Sequence, residues 1–171
     1  MTRKITYSGM IIAIYVALTV ILGAISYGPI QVRFAAGLYV LAALDIWFTL
    51  PLAIATGMAN YFGGLGAPDI IIGPIASTAA CLGCYAFRKH KWLIPAAIPL
   101  FSAPILAGYL HLLFGLPFWF MLATIFIGQS IAGYTLGAVV LNVFYNRGMF
   151  GQDGSVLPEG RLGENVYREN P

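Results

Sequence analysis

The feature that most constrains the fold is a set of long apolar runs that carry almost no charge. Ile5–Ile25 contains no charged residue, and Arg33 is the only basic residue between Lys4 and Arg88. Of the 171 residues, 60% are hydrophobic and only 9% are charged, whereas a soluble domain of this size needs a more polar surface. A helix of about 20 apolar residues spans a bilayer. The sequence therefore predicts an all-α integral membrane protein that crosses the cell membrane several times.

The number of crossings depends on one stretch in the middle of the chain. Four runs predict one spanning helix each: Ile5–Ile25, Ile70–Phe87, Trp92–Phe114 and Phe118–Tyr145. The remaining stretch, Phe34–Gly66, is long for one crossing and short for two. Its length alone leaves the topology open.

The distribution of basic residues favours two crossings in that stretch. Lysine and arginine concentrate on the cytoplasmic side of membrane proteins, so Lys4 indicates a cytoplasmic N-terminus. The basic cluster Arg88–Lys91 reaches the same side only if the chain turns near Asp45–Leu50. We therefore predict a domain of six transmembrane helices over residues 1–146, with both termini cytoplasmic, and a polar, glycine-rich cytoplasmic tail over residues 147–171.

Arg33 marks a candidate binding site. A guanidinium at the mouth of a hydrophobic bundle is costly to place, which makes it a functional candidate. On the six-helix topology, six polar side chains lie at or below the outer face: Tyr27, Gln31, Arg33, Asn60, Asp69 and Gln129. Together with nearby aromatic residues they suit a planar, hydrogen-bonding solute. The alternative is an ion pair of Arg33 with Asp69 that only closes the outer face.

A second pattern lies on the first predicted helix. Gly9, Ala13 and Ala17 recur every four residues and form one stripe of small side chains. Such a stripe allows another helix to approach closely. The partner helix belongs either to the same bundle or to another subunit, and the periodicity does not choose between them.

The sequence offers no catalytic or metal-binding constellation. Cys81 and Cys84 form a C-x-x-C pair in the middle of a predicted span, without a third cysteine or a histidine nearby, so packing is the simpler interpretation. His90 and His111 lie near opposite helix ends. No phosphate-binding loop and no nucleophile turn occurs. We expect no enzymatic activity, no cofactor and no nucleic-acid partner.

The segment Ile25–Arg33, with the sequence ISYGPIQVR, resembles the queuosine-precursor transporter family. Members of that family are substrate-capture (S) components of energy-coupling factor (ECF) transporters. The likeness continues through Ala59–Gly64, Leu65–Gly73, Gly115–Trp119 and Ile127–Gly128. It implies an S-component-like bundle of six helices that binds a 7-deazaguanine base, a precursor of modified tRNA nucleosides. It also implies a transmembrane coupling subunit and two ATPase subunits as partners, with Ala13 and Ala17 facing the coupling subunit.

Two positions depart from the pattern of that family. This chain has Ala36 and Gln129 where family members usually carry a glutamate. A buried carboxylate is the natural partner of a cationic aminomethyl group, so its absence favours the neutral cyano base or another neutral heterocycle. The same losses leave a second hypothesis open, in which the chain is a non-transporting structural or assembly subunit of a membrane complex.

Overall fold

The structure is a computed structural model that describes residues 2–27, 32–64 and 66–146. Every regular element in these ranges is helical. In chain order they are α1 (Thr2–Ile21), α2 (Gly23–Ser26), a 3₁₀ helix (Phe34–Val40), α3 (Leu41–Leu44), a second 3₁₀ helix (Ile46–Phe48), α4 (Thr49–Gly63), α5 (Ala67–Ala86), α6 (Ile94–Phe114), α7 (Phe118–Ala132), a π-helical segment (Gly133–Gly137) and α8 (Ala138–Asn146). The predicted tail at 147–171 lies outside the described residues.

Four helical stretches are long and apolar enough to cross a membrane: Lys4–Ile21, Ala67–Ala86, Ile94–Phe114 and Phe118–Tyr145. They correspond to the four spans predicted from the apolar runs. Large apolar side chains on them face outward, and Ile21, Leu112 and Trp119 are 80%, 82% and 78% exposed. An apolar outer surface of this kind is stable against lipid and not against water. The prediction of a multi-pass, all-helical membrane protein is therefore confirmed.

The first span is shorter than predicted. Helix α1 ends at Ile21 and not at Ile25, because the backbone of Leu22 leaves the helical region (φ −91°, ψ 25°). Gly23 follows, and glycine has a low helix propensity. The four-residue α2 then carries the chain to Tyr27.

The middle stretch divides at Asp45, inside the predicted turn. Asp45 has an extended backbone (φ −148°, ψ 121°), and its carboxylate accepts a hydrogen bond of 2.9 Å from the Trp47 amide. The segment before the turn, Phe34–Leu44, is apolar and mostly buried. The segment after it, α4, has 15 residues. Both are shorter than the roughly 20 residues of a full crossing.

Side-chain contacts show which parts of the chain share an end of the bundle. The Lys4 ammonium forms a salt bridge of 2.6 Å with the Asp45 carboxylate, so the start of α1 and the Asp45 turn lie at one end. Helices α4 and α5 run in opposite directions from there, because Asn60, late in α4, bonds to the Asp69 carbonyl, early in α5. Helix α5 therefore returns to the Lys4 end.

The core is built on small residues that let the helices approach closely. The 3₁₀ helix Phe34–Val40 crosses the π-helical segment at Gly37, where a Cβ atom would lie 2.7 Å from the Ala132 carbonyl oxygen and 2.8 Å from the Gly137 nitrogen. No larger residue fits there without moving backbone. This crossing fixes the residues around Arg33 against the last membrane-spanning stretch.

Candidate ligand-binding site

Arg33 immediately precedes the 3₁₀ helix Phe34–Val40. Its guanidinium carbon is 5.6 Å from the centre of the Tyr27 ring, within range of a cation–π interaction. The guanidinium also interacts with the Tyr15 hydroxyl and, electrostatically, with Tyr39 and Asp69. The salt bridge found in the described residues joins Lys4 to Asp45 and not Arg33 to Asp69. Arg33 thus lies near several phenols, and no carboxylate of the described residues forms a salt bridge with it.

Tyr27 covers this region from the loop side. Its hydroxyl donates to the backbone carbonyl of Ala59, and its ring lies against Gly63, where a Cβ atom would be 2.5 Å from ring carbon Cε1. Burial raises the pKa of the Tyr27 hydroxyl above its ordinary value of 10.0, while the nearby Arg33 lowers it. The hydroxyl is therefore a protonated donor at neutral pH, and it fastens the loop to α4.

Asp69 and Asn60 form the polar centre of the site. Asp69 is 3% exposed, in the first turn of α5, and its Oδ1 accepts a hydrogen bond of 2.7 Å from the Tyr109 hydroxyl. Asn60 is 1% exposed, and its Nδ2 donates to the Asp69 carbonyl at 2.8 Å. Gly73 makes room for that amide, because a Cβ atom there would lie 2.0 Å from Asn60 Nδ2. Three helices, α4, α5 and α6, are thereby joined through one carboxylate and one amide.

A narrow cleft continues from this centre toward the middle of the bundle. Its lining is Arg33, Ala36, Tyr39, Thr56, Gly73, Ala76, Ser77, Ser102, Leu106 and Gln129. The enclosed cavity is about 10 Å³, which is the space of about one water molecule. A planar base therefore requires the helices around the cleft to separate.

Hydrogen bonds hold the cleft closed on two sides. The Tyr15 and Tyr39 hydroxyls are 2.6 Å apart, and Tyr39 is 3.0 Å from the Thr56 hydroxyl. On the other side, the Ser102 hydroxyl donates to the Gln129 side-chain oxygen or to a carbonyl of its own helix. These groups place several hydroxyls and one amide along a cleft that is also lined by apolar residues.

The stripe of Gly9, Ala13 and Ala17 lies on the outside of the bundle. All three residues are exposed, and a Cβ atom added at Gly9 would meet no atom within 4 Å. With Met58 and Phe62 of α4 they line an open apolar groove of about 470 Å³. The stripe therefore does not pack against another described helix of this chain.

A family model described as QueT transporter matches residues 5–146. The chain belongs to the QueT transporter family. No curated protein and no solved structure matches the chain. Membership in the family confirms the resemblance that the ISYGPIQVR segment and the later motifs indicated. It identifies this chain as a member of a family of membrane transporters.

The structure of this QueT transporter brings most of the predicted site residues together. Arg33 and Gln129 line one cleft, and Asn60 and Asp69 lie one helical turn outward from the lining residues Thr56 and Gly73. Tyr27 closes the loop side. Gln31 lies outside the described residues. Ala36, one of the two departures from the family pattern, lines the same cleft as the other departure, Gln129.

Sequence reasoning missed several polar residues of this QueT transporter. They are Tyr15, Tyr39, Thr56, Ser102 and Tyr109, all buried in the bundle. Each is a hydroxyl-bearing residue within an otherwise apolar run, and a buried hydroxyl needs a hydrogen-bond partner. That requirement is the signal that could have found them. Which of the chain's many hydroxyls converge depends on helix rotation, which the apolar runs do not encode.

Proposed function

We propose that this chain is the substrate-binding S component of an ATP-driven ECF importer, and that its substrate is a neutral 7-deazaguanine, the cyano base. The observation that carries the proposal is the set of buried polar residues Asn60, Asp69 and Gln129, with the half-buried Arg33 beside them, in a bundle whose outer surface is apolar. Polar and charged groups inside a membrane bundle are costly and typically mark a solute site. Family membership supports the same substrate class.

Six crossings with cytoplasmic termini are part of the proposal. The salt bridge of Lys4 with Asp45 supports two crossings between them, since both belong to one end of the bundle. The Lys91 ammonium lies 3.9 Å from the centre of the Tyr145 ring, which supports a common end for the second basic cluster and the last helix. The basic residues of that end then face the cytoplasm. The short Phe34–Leu44 and α4 segments cross a locally thinned bilayer.

The preference for a neutral ligand follows from the charges that surround the cleft. Of the residues that line the cleft, Arg33 contributes a positive charge, whereas Ala36 and Gln129 contribute none. The Asp69 carboxylate lies outside this lining, one helical turn from Gly73. A cationic aminomethyl group near Ala36 and Gln129 would meet the Arg33 guanidinium without a compensating glutamate. Like charges in a partly desolvated site repel strongly. A cyano group carries no charge and only accepts hydrogen bonds, so it is compatible with Arg33.

The exposed stripe is the proposed docking face for the coupling subunit. A groove lined by Gly9, Ala13 and Ala17 accepts a helix at short distance, which is how helices associate in membranes. Energy would come from two ATPase subunits bound to that coupling subunit, and transport would proceed by reorientation of the loaded bundle. The closed cleft agrees with a site that must open to load and release its substrate.

Uptake by intact cells tests the proposal. The chain is expressed with an ECF coupling module in cells that cannot make the precursor, the cyano base is supplied, and queuosine in tRNA is measured. We expect queuosine to appear with the wild type. With Ala13→Trp, which fills the exposed groove away from the site, we expect binding of the base to persist and uptake to be lost. Binding without uptake in the wild type, with every coupling module tried, would favour the alternative of a non-transporting subunit.

A further inference from the structure

Two buried oxygen atoms of the site have no hydrogen-bond partner. Among the described residues, four buried side-chain atoms are unpartnered: Ser26 Oγ, Thr49 Oγ1, Asn60 Oδ1 and Asp69 Oδ2. The last two belong to side chains that are 1% and 3% exposed and that are linked through the Asp69 carbonyl. Leaving a buried acceptor unsatisfied destabilises a protein, so such atoms need an explanation.

The hydrogen-bond partners leave one amide oxygen and one carboxylate oxygen as free acceptors. Asn60 Nδ2 bonds to a backbone carbonyl, which can only accept, so the amide nitrogen must point there and the amide oxygen must point away. The Tyr109 hydroxyl has one proton, and it is directed to Asp69 Oδ1. What is missing is therefore a pair of donors and not another acceptor.

Asp69 and Asn60 each lie one helical turn from a residue that lines the cleft. Asp69 precedes the lining residue Gly73 by one helical turn, and Asn60 follows the lining residue Thr56 by one turn. Residues four apart share a helix face. The Arg33 guanidinium, which lines the cleft, also interacts electrostatically with Asp69. A base in the cleft would meet Asp69 and Asn60 at its outer edge, before the lining residues deeper in the bundle.

We infer that Asp69 Oδ2 and Asn60 Oδ1 together select ligands that present two adjacent N–H donors, as the ring N–H and exocyclic amine of an aminopyrimidinone do. This deepens the proposed function and rests on it. Among the described residues of the site, Asn60 Oδ1 and Asp69 Oδ2 are the buried acceptors without a partner, whereas the Gln129 side-chain oxygen lies within hydrogen-bond reach of the Ser102 hydroxyl. Asn60 and Asp69 thus determine specificity at the amine-bearing edge of the base.

The test compares two ligands that differ only in the exocyclic amine: 7-cyano-7-deazaguanine and 7-cyano-7-deazahypoxanthine. Their dissociation constants are measured on the full, detergent-purified chain. We expect the wild type to prefer the amine-bearing base roughly ten- to a hundredfold, the range of a hydrogen bond to a charged group. Equal affinity for the two would overturn the acceptor pair while the proposed function stands. Binding of neither would overturn both.

A pair of variants separates ligand recognition from structural support. Tyr109→Phe removes the protein's own donor to Asp69 Oδ1, so we expect lower stability, and its ligand preference is the reference for the second variant. Asp69→Ala in the Tyr109→Phe background removes the carboxylate without stranding a hydroxyl, and the preference should fall roughly tenfold. An unchanged preference would contradict the inference. If the double variant does not fold in ligand-free melting, the wild-type comparison still decides.

Discussion

A single methyl group at Gly73 tests how tightly the polar centre is built. In Gly73→Ala, the new Cβ atom would lie 2.0 Å from Asn60 Nδ2, 3.2 Å from Asn60 Cγ and 3.3 Å from Thr56 Cγ2. Contacts below 3.0 Å essentially never occur for a Cβ atom, so Asn60 must move by about 1 Å or more. Because its amide is held 2.8 Å from the Asp69 carbonyl, that movement breaks the hydrogen bond.

The expected cost has two parts. Overpacking a core position costs about 1–3 kcal/mol, and leaving the buried Asp69 carbonyl unsatisfied costs about 1–3 kcal/mol. These two costs overlap, because the same movement of Asn60 relieves the steric clash and breaks the hydrogen bond to the Asp69 carbonyl. We expect a loss of about 2–4 kcal/mol in the free energy of unfolding. Affinity for the ligand should fall as well, since the displaced Asn60 oxygen no longer meets the base.

Thermal unfolding of the detergent-purified protein measures the first effect, and ligand titration measures the second. Gly108→Ala is the matched control, because a Cβ atom there meets nothing within 4 Å. Alanine is also the better helix former by roughly 1 kcal/mol, so that variant should melt at or above the wild-type temperature. A Gly73→Ala protein that melts at the wild-type temperature and binds the ligand with wild-type affinity would refute the packing argument.

Three further changes follow from the geometry. Gly37→Ala should destabilise by about 3 kcal/mol or more, because the added methyl meets backbone atoms of Gly137 that cannot rotate away; near-normal melting would contradict the close crossing. Ala36→Glu restores a carboxylate to the cleft and should raise affinity for the aminomethyl base relative to the cyano base roughly tenfold in competition binding; an unchanged ratio would remove the electrostatic argument. Tyr27→Phe deletes the bond to the Ala59 carbonyl and should cost about 1 kcal/mol in thermal unfolding; a loss of several kcal/mol would assign the loop a larger structural role.

The sequence predicted the four long apolar helices well because the signals for them are local. Apolar runs located the four long spans, and Asp45, a lone charge among apolar residues, located the turn in the middle stretch. A break such as the one at Leu22 was not predicted, since leucine followed by glycine is tolerated inside many helices. The π-helical segment at Gly133–Gly137 was also unforeseen. It depends on the approach of Gly37 from a distant part of the chain.

The sequence singled out charged and amide residues that lie close together in the structure, but it did not single out the hydroxyl groups beside them. Arg33 and Asp69 stand out because charges are rare in this chain, and Asn60 stands out for the same reason among amides. Tyr109 does not, because tyrosines are common here and only one donates to Asp69. The pairing of acceptors on Asn60 and Asp69 required the hydrogen-bond partners of each atom, which composition and spacing do not contain.

The most direct test of the central claim is ligand-induced thermal stabilisation of the purified chain by the cyano base, the aminomethyl base, guanine and riboflavin. A ligand that binds only the folded state at a hundredfold excess over Kd stabilises it by about 2.7 kcal/mol. We predict a selective rise in melting temperature with the cyano base. A protein that melts cooperatively and shifts with none of the four would contradict the assignment as a 7-deazaguanine-binding component.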